Sequence, residues 1–159
     1  MCKAQLLQRW RTHLESKRDA LLNEQAAARS ATRVDGGHRP ENRGERAAVT
    51  SQGYLAEALA SRTDDLDAAI QQLDAVGAGP RERVSLGALV VVEDENGRES
   101  RFLLLPGGDA SHLDSARGPV RVLSPSSPIA AALMGLDELE SAEFIRGDHL
   151  VEWTIQEVL

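Results

Sequence analysis

The sequence predicts an α+β protein in which an antiparallel helical hairpin (a coiled coil) precedes a small antiparallel β-sheet domain with one short helix. Three observations predict this class: two heptad-patterned segments without internal proline, a glycine- and proline-containing break at residues 74–80, and β-branched runs after that break. The 159-residue chain is 42% hydrophobic but only 3% aromatic, which favours an elongated part joined to a small core.

Residues 3–30 and 46–76 carry apolar side chains at alternating steps of three and four, the spacing of a coiled-coil seam. The first predicted seam comprises Leu7, Trp10, Leu14, Lys17, Leu21, Glu24 and Ala28. The second comprises Ala48, Gln52, Leu55, Leu59, Arg62, Leu66, Ala69, Leu73 and Val76. At roughly 1.5 Å per residue, each arm would be about 40–45 Å long.

Outside these seams the arms show only scattered apolar side chains, at Leu6, Leu22, Tyr54 and Ile70. A dimerising arm would carry a second continuous apolar stripe, so the pattern favours a free-standing hairpin in a monomer. The alternative interpretation is a plain interaction module, in which a homodimerising coiled coil carries a sheet domain that binds another protein.

The sequence DAVGAGP, residues 74–80, ends the helical pattern with two glycines and a proline. We therefore predict a hairpin over residues 1–76 with its tip at 33–46, a linker over 77–81 and a sheet domain over 82–159. Strands are predicted at 84–94, 100–105, 119–123, 143–145 and 149–158, with Asn96-Gly97 in the first hairpin turn. A short helix is predicted over 127–135, because it starts with Ser-Pro and ends with Gly.

Charge is distributed unevenly along the chain. Residues 1–80 contain 11 basic and 11 acidic residues, whereas residues 81–159 contain 7 basic and 14 acidic residues and carry the whole net charge of −7. This balance argues against a protein that coats nucleic acid, and the split suggests two units with different partners.

The sequence lacks several features that would indicate disulfides, a cysteine metal site, secretion or a membrane span. Cys2 is the single cysteine, so neither an internal disulfide nor a cysteine metal cluster is expected. The sequence MCKAQLLQRW lacks the apolar run of a signal peptide, and no apolar stretch approaches the ~20 residues of a membrane span. We expect a cytoplasmic protein with no membrane partner.

The second half carries VSLGALVVVEDENGRESRFLLL, then VLSPSSPIAAALMG, then a closing strand pair. This order resembles the C-terminal domain of the GreA/GreB transcription elongation factors, and the heptads before it match their N-terminal coiled coil. The resemblance implies an FKBP-like fold for the sheet domain. It also implies bacterial RNA polymerase as the partner, with the globular domain docked at the rim of the secondary channel and the coiled coil inside the channel.

The resemblance further implies a division of labour with the polymerase. In the family, acidic tip residues help hold a second Mg²⁺ and a water, and the polymerase cleaves the 3′ end of its own backtracked RNA. The factor would thus be no enzyme itself and would have no cofactor of its own, only Mg²⁺ shared with the polymerase. Mg²⁺ requires hard oxygen ligands, so a pair of tip carboxylates is the smallest adequate set.

The predicted tip departs from the family pattern Asp-x-x-Glu-Asn-Ala-Asp/Glu-Tyr. Glu41 and Asn42 match its Glu-Asn, Glu45 lies one residue beyond the second acidic position, and His38 replaces the first acid. Asp35 lies three residues upstream of that position. Imidazole suits Zn²⁺ or Cu²⁺ better than Mg²⁺, which weakens the case for a metal held by Glu41.

Arginines surround these acids, at Arg33, Arg39, Arg43 and Arg46, with Arg29 just before them. They would repel a cation, and they could instead contact phosphates of the nascent RNA or of a nucleotide. Three interpretations stay open here: an altered metal-assisting tip that uses Glu41 with Asp35 or Glu45, a channel-entering tip that modulates or inhibits without promoting cleavage, and a solvated turn.

The loop before the predicted short helix supplies the docking residues that the resemblance implies. Ser127, Pro128 and Ile129 match the Ser-Pro segment that contacts the polymerase rim in the family. Ser127 at the N-cap and Pro128 at N1 are also what helix capping requires, and the two roles are compatible. A second Ser-Pro pair, Ser124-Pro125, leaves the docking register open.

Overall fold

The computed structural model describes residues 2–32, 43–146 and 149–159. Two long helices come first, α1 (Lys3–Thr32) and α2 (Arg43–Asp74). The strands are β1 (Leu89–Asp94), β2 (Glu99–Leu104), β3 (Asp109–Ser115), β4 (Gly118–Leu123), β5 (Ser141–Arg146) and β6 (His149–Val158), with the short helix α3 (Pro128–Leu133) between β4 and β5. By contacts the chain forms two compact units, His13–Ala69 and Met1–Thr12 with Ile70–Leu159. Within the described residues, no helix is long and apolar enough to cross a membrane.

The helical unit is an antiparallel pair, as predicted. Arg18 forms a salt bridge of 3.4 Å with Asp67, and seven residues further along α1 the amide of Gln25 donates to the carbonyl of Ala56 at 3.3 Å. Partner numbers fall along α2 as they rise along α1, which defines the antiparallel direction. Small side chains allow this close approach: Ala28 and Ala56 are buried with Leu59 in one cluster.

The seam of α2 differs from the predicted one. Thr63 and Ile70 are buried, while Arg62 and Leu55 are exposed. The Thr63 hydroxyl donates to the carbonyl of Leu59 at 2.9 Å, so this polar side chain is satisfied inside the seam, whereas a buried guanidinium would need a counter-charge.

The prediction for α1 needs the same correction. Leu6 is fully buried rather than a scattered extra, and Gln25 occupies the buried position that was assigned to its neighbour Glu24. An amide can be buried here because it finds the Ala56 carbonyl, and a glutamate carboxylate could not donate to that oxygen.

The observed register makes neighbouring positions on α2 respond differently to the same substitution. Thr63→Glu should destabilise the helical pair by about 2–3 kcal/mol, because it buries a carboxylate without a partner. Arg62→Glu at the exposed neighbour should stay within about 0.5 kcal/mol. Urea unfolding followed by circular dichroism at 222 nm measures both, and equal losses would contradict the register.

The second unit is built on one six-stranded sheet in the order β3-β4-β2-β1-β6-β5. The fold class is confirmed, and the hairpins β1–β2 and β5–β6 lie where they were predicted. One pairing differs from the predicted antiparallel sheet. Strands β2 and β4 are parallel, with Phe102 opposite Arg121 and Leu104 opposite Leu123. The remaining pairs are antiparallel.

Strand β3 is absent from the sequence prediction; it lies between the strands predicted at 100–105 and 119–123. Leu113 is its only buried residue, so the edge strand lacks the apolar alternation by which strands are recognised. The first predicted strand is also shorter than expected, because residues 84–88 form turns before β1 begins. Four residues, 95–98, connect β1 and β2, with Gly97 at φ +73°, rather than a two-residue Asn-Gly turn.

The main core lies on the face of the sheet that α3 covers. Trp153 is its centre, with ring centroids 5.0 Å from Phe102 and 4.3 Å from Phe144. Ala130 and Leu133 of α3 are fully buried in the same cluster. Three of the chain's five aromatic residues are thus in the core between α3 and the sheet.

The first turns of α1 cover the opposite face. The indole of Trp10, which is fully buried, donates to the carbonyl of Pro106 at 3.0 Å, and Arg9 donates to the carbonyl of Asp114 at 3.0 Å. Lys3 donates to the carbonyls of Gly79 and Leu159 at 2.7 and 2.9 Å. Desolvation, with a smaller contribution from neighbouring Arg81, lowers the pKa of Lys3 to about 8.

Gly108 holds the β2–β3 turn against the end of β4. A Cβ at position 108 would lie 2.2 Å from both the Leu123 carbonyl carbon and the Ser124 nitrogen, which no side chain can do. Leu105 also donates to the Leu123 carbonyl at 3.0 Å. The backbone that leads into the loop after β4 is therefore fixed by main-chain contacts.

Candidate functional site

The loop between β4 and α3 is a compact turn built by serines. The amide of Ser127 donates to the carbonyl of Ser124 at 2.9 Å, and the hydroxyls of Ser124 and Ser126 lie 2.8 Å apart. The Ser126 amide also donates to the Ser124 hydroxyl at 3.3 Å. This network closes the turn before the helix starts, so the loop is ordered by its own polar groups.

Helix α3 starts as the sequence predicted. Ser127 is the N-cap, with extended backbone at φ −69° and ψ 146°, and its hydroxyl accepts from the Ala130 amide at 3.3 Å. Its carbonyl accepts from the Ala131 amide at 2.8 Å. Pro128 at the first helical position has no N–H to leave unsatisfied. Ser124-Pro125 lies one turn earlier and caps nothing, so the helix register is that of Ser127-Pro128.

Three residues give this loop a mixed surface. Pro128 is exposed, whereas Ser127 and Ile129 are half-buried. Ile129 packs against the main core, so it connects the loop to the sheet as well as contributing apolar surface. The arrangement presents a rigid apolar ring beside hydroxyl groups, which suits docking against another protein.

The acidic and basic residues predicted for the tip are not brought together by the described structure. Arg33, Asp35, His38, Arg39, Glu41 and Asn42 lie outside the described residues. Arg43, Glu45 and Arg46 belong to the first turn of α2, and their side chains also lie outside the description. In the described part of the chain, no group of three or more His, Cys, Asp or Glu side chains could hold a metal ion.

The support of the loop by Gly108 is the feature that sequence reasoning missed. The close approach of Gly108 to Leu123 and Ser124 depends on how β3 and β4 pair, which a local sequence pattern does not show. The signal that could have found it is the glycine pair itself, since one glycine suffices for a positive φ and only Gly107 has one, at +67°.

Comparison with known proteins agrees on the family of the second unit. Residues 79–159 match the family model described as transcription elongation factor, GreA/GreB, C-term. The search of curated proteins found no match.

Solved structures similar to the chain include GreA factor homolog 1 (Gfh1) of Thermus thermophilus, at 17% identity over 96% of this chain and 94% of that chain, with a TM-score of 0.41. They also include Gfh1 of Thermus aquaticus, at 16% identity over 92% of each chain and a TM-score of 0.41. A transcription elongation factor GreA/GreB from Nitrosomonas europaea matches at 24% identity over 60% of this chain and 78% of that chain, with a TM-score of 0.38.

The cap hydrogen bond makes Ser127 the residue of this loop whose hydroxyl matters most for stability. Ser127→Ala should destabilise the second unit by about 0.5–2 kcal/mol, and Ser127→Asp should retain most of the stability because its carboxylate can also cap. Ser126→Ala is the matched control: it removes one exposed hydrogen bond, to the Ser124 hydroxyl, and leaves the helix cap intact, so it should cost less than about 0.5 kcal/mol. Urea unfolding followed by Trp fluorescence measures the three variants, and equal losses in the two alanine variants would contradict the cap.

Proposed function

The chain belongs to the GreA/GreB family of transcription elongation factors, and we propose that it acts by binding bacterial RNA polymerase. The observation that carries this proposal is the preformed Ser127–Pro128 helix start within the region that the family model matches. In this proposal Ser127, Pro128 and Ile129 dock at the rim of the secondary channel, and the helical pair enters the channel.

The docking loop is suited to this role by its rigidity. Its serine hydrogen bonds and the Gly108 contact hold the backbone before any partner arrives, so little conformational entropy would be lost on binding. Pro128 has the exposed, rigid apolar surface that makes a good anchor in a partner's pocket.

For residues 33–46 we propose a role as a modulating tip that does not stimulate transcript cleavage. Glu41 is the single carboxylate at a family-matched position, and His38 stands where the family has its first acid. Such a donor set fits Mg²⁺ poorly, because the ion favours several oxygen ligands and the flanking arginines Arg39 and Arg43 oppose a cation. In this proposal the tip therefore acts without a metal of its own.

The same arginines suggest what the tip would do instead. Arg33, Arg39, Arg43 and Arg46 could pair with phosphate oxygens of the nascent RNA or of a bound nucleotide near the polymerase active site. A tip that holds phosphates and lacks the metal-binding pair would slow or pause synthesis rather than rescue a backtracked complex.

Binding is tested with purified bacterial core RNA polymerase. The wild-type chain should bind at micromolar concentration or below, and Pro128→Ala should raise the Kd by about tenfold, equivalent to roughly 1.4 kcal/mol. Pro119→Ala, at an exposed proline elsewhere on the sheet, should leave the Kd unchanged. Biolayer interferometry gives these constants, and no binding of the wild type at micromolar protein would refute the proposal.

Cleavage is tested on stalled elongation complexes in the presence of Mg²⁺. The wild type should add nothing to the polymerase's own cleavage rate, whereas His38→Asp should raise the rate by restoring a carboxylate at the first acidic position. His38→Asn is the control of similar size without the charge. Robust cleavage by the wild type that disappears in Glu41→Ala would show that the tip does assist the metal.

A further inference from the structure

The β5–β6 hairpin extends past the rest of the sheet. Strand β6 has ten residues, but it pairs with β1 only from Trp153 to Val158. From His149 to Glu152 it pairs with β5 alone among the described strands. This end of the hairpin therefore presents an outer surface that the sheet does not bury.

That surface has two adjacent rows of side chains. Ile145 lies directly opposite Leu150, and the two are 75% and 63% exposed. Glu143 lies directly opposite Glu152 in the next row on the same face, and both are exposed. Like charges directly opposite each other destabilise a sheet, and large apolar side chains gain no burial free energy while they are exposed to water. The stability of the hairpin therefore explains neither row.

A cleft of about 470 Å³ lies beside these rows. Its lining residues include Leu150 and Glu152 of β6, together with Asp94 at the end of β1, Glu95 in the turn and Glu99 at the start of β2. Of the described side chains that line it, Arg98 is the one that is basic. Glu99 is paired with Arg101, and the Asp94 carboxylate accepts from the amides of Asn96 and Arg98. Among the described residues no salt bridge reaches Glu95, Glu143 or Glu152, so these three carboxylates keep their charge available to a partner.

We propose that this acidic hairpin surface, consisting of the cleft and the Ile145–Leu150 pair, docks a segment of another protein in which a lysine or arginine stands next to an apolar residue. The basic side chain enters the cleft between Glu95 and Glu152, and the apolar neighbour covers Leu150 and Ile145. The aliphatic stem of the basic residue lies along Leu150 while its charge reaches the carboxylates.

The negative charge of this surface favours a basic protein segment over nucleic acid, a membrane or a second copy of the chain. Nucleic acid and anionic membranes are repelled by the carboxylates. A second copy in a two-fold pairing would bring Glu143 and Glu152 against the same residues of its partner, which is unfavourable by like-charge repulsion. A basic and apolar protein segment complements both rows. The proposal does not depend on the polymerase.

The test is selection from a random peptide phage library on the immobilised full chain, followed by synthesis of the enriched peptides and fluorescence anisotropy. Enriched peptides should carry Lys or Arg beside Val, Ile or Leu. Glu152→Lys should raise their Kd by at least about tenfold, because it replaces attraction with repulsion, and Leu150→Ser should raise it by about fivefold.

Two control variants separate this surface from general effects of charge and hydrophobicity. Glu82→Lys reverses an exposed charge elsewhere on the same unit, and Leu139→Asn removes an apolar side chain that is 78% exposed before β5. Asn suits the positive φ of 70° at position 139. Both should leave the Kd within about twofold of wild type, consistent with ordinary surface substitutions.

The proposal is overturned if no basic and apolar sequences are enriched, or if enriched peptides bind Glu152→Lys as well as wild type. It is also overturned if sedimentation shows a wild-type dimer that Leu150→Ser converts to monomer, because the occupant would then be a second copy. Circular dichroism melts that match wild type establish that each variant is folded.

Discussion

The hydrogen bond from Trp10 to the Pro106 carbonyl closes the second face of the sheet, and the rest of the second unit depends on that closure. Six strands with one helix cover only one face, so the other face would expose the apolar side of β1, β2 and β4. The indole supplies a large apolar area and also satisfies a buried carbonyl at 3.0 Å. An aliphatic side chain at position 10 would lose the hydrogen bond to the Pro106 carbonyl, and a small polar one would also lose the apolar area.

Two-sided burial explains the sequence of the central strands. In β1, Val90 and Val92 face α3 while Val91 faces the opposite side, and all three are buried. Leu103 in β2, and Val122 opposite it in β4, are fully buried on that second face. A strand buried on both faces must be apolar at successive positions, so it appears as a continuous run instead of an alternation.

This is also why parts of the fold could be predicted and others could not. The runs in β1 and β2 and the Ser127 cap are local signals, and each led to the correct element. Strand β3 has no such signal, because its partner β4 determines it. Part of the α2 seam was placed one step off, at Arg62 instead of Thr63, because three other predicted seam residues, Leu59, Ala69 and Leu73, are buried in either register. The contact of Gly108 and the acidic cleft depend on residues far apart in sequence, and no spacing reveals them.

The division of charge gives the two halves of the chain different physical tasks. Residues 1–80 are neutral overall, with four arginines concentrated in residues 33–46, whereas residues 81–159 have twice as many acidic as basic residues. A locally basic segment attracts phosphate, and an acidic sheet surface repels it and attracts basic protein. If both halves carried net charge of the same sign, a phosphate-rich partner would attract or repel both halves alike, and the chain would not be oriented. A neutral half with a local group of arginines and an acidic half differ in their attraction to a partner that combines protein with nucleic acid, and this difference favours one orientation over its reverse.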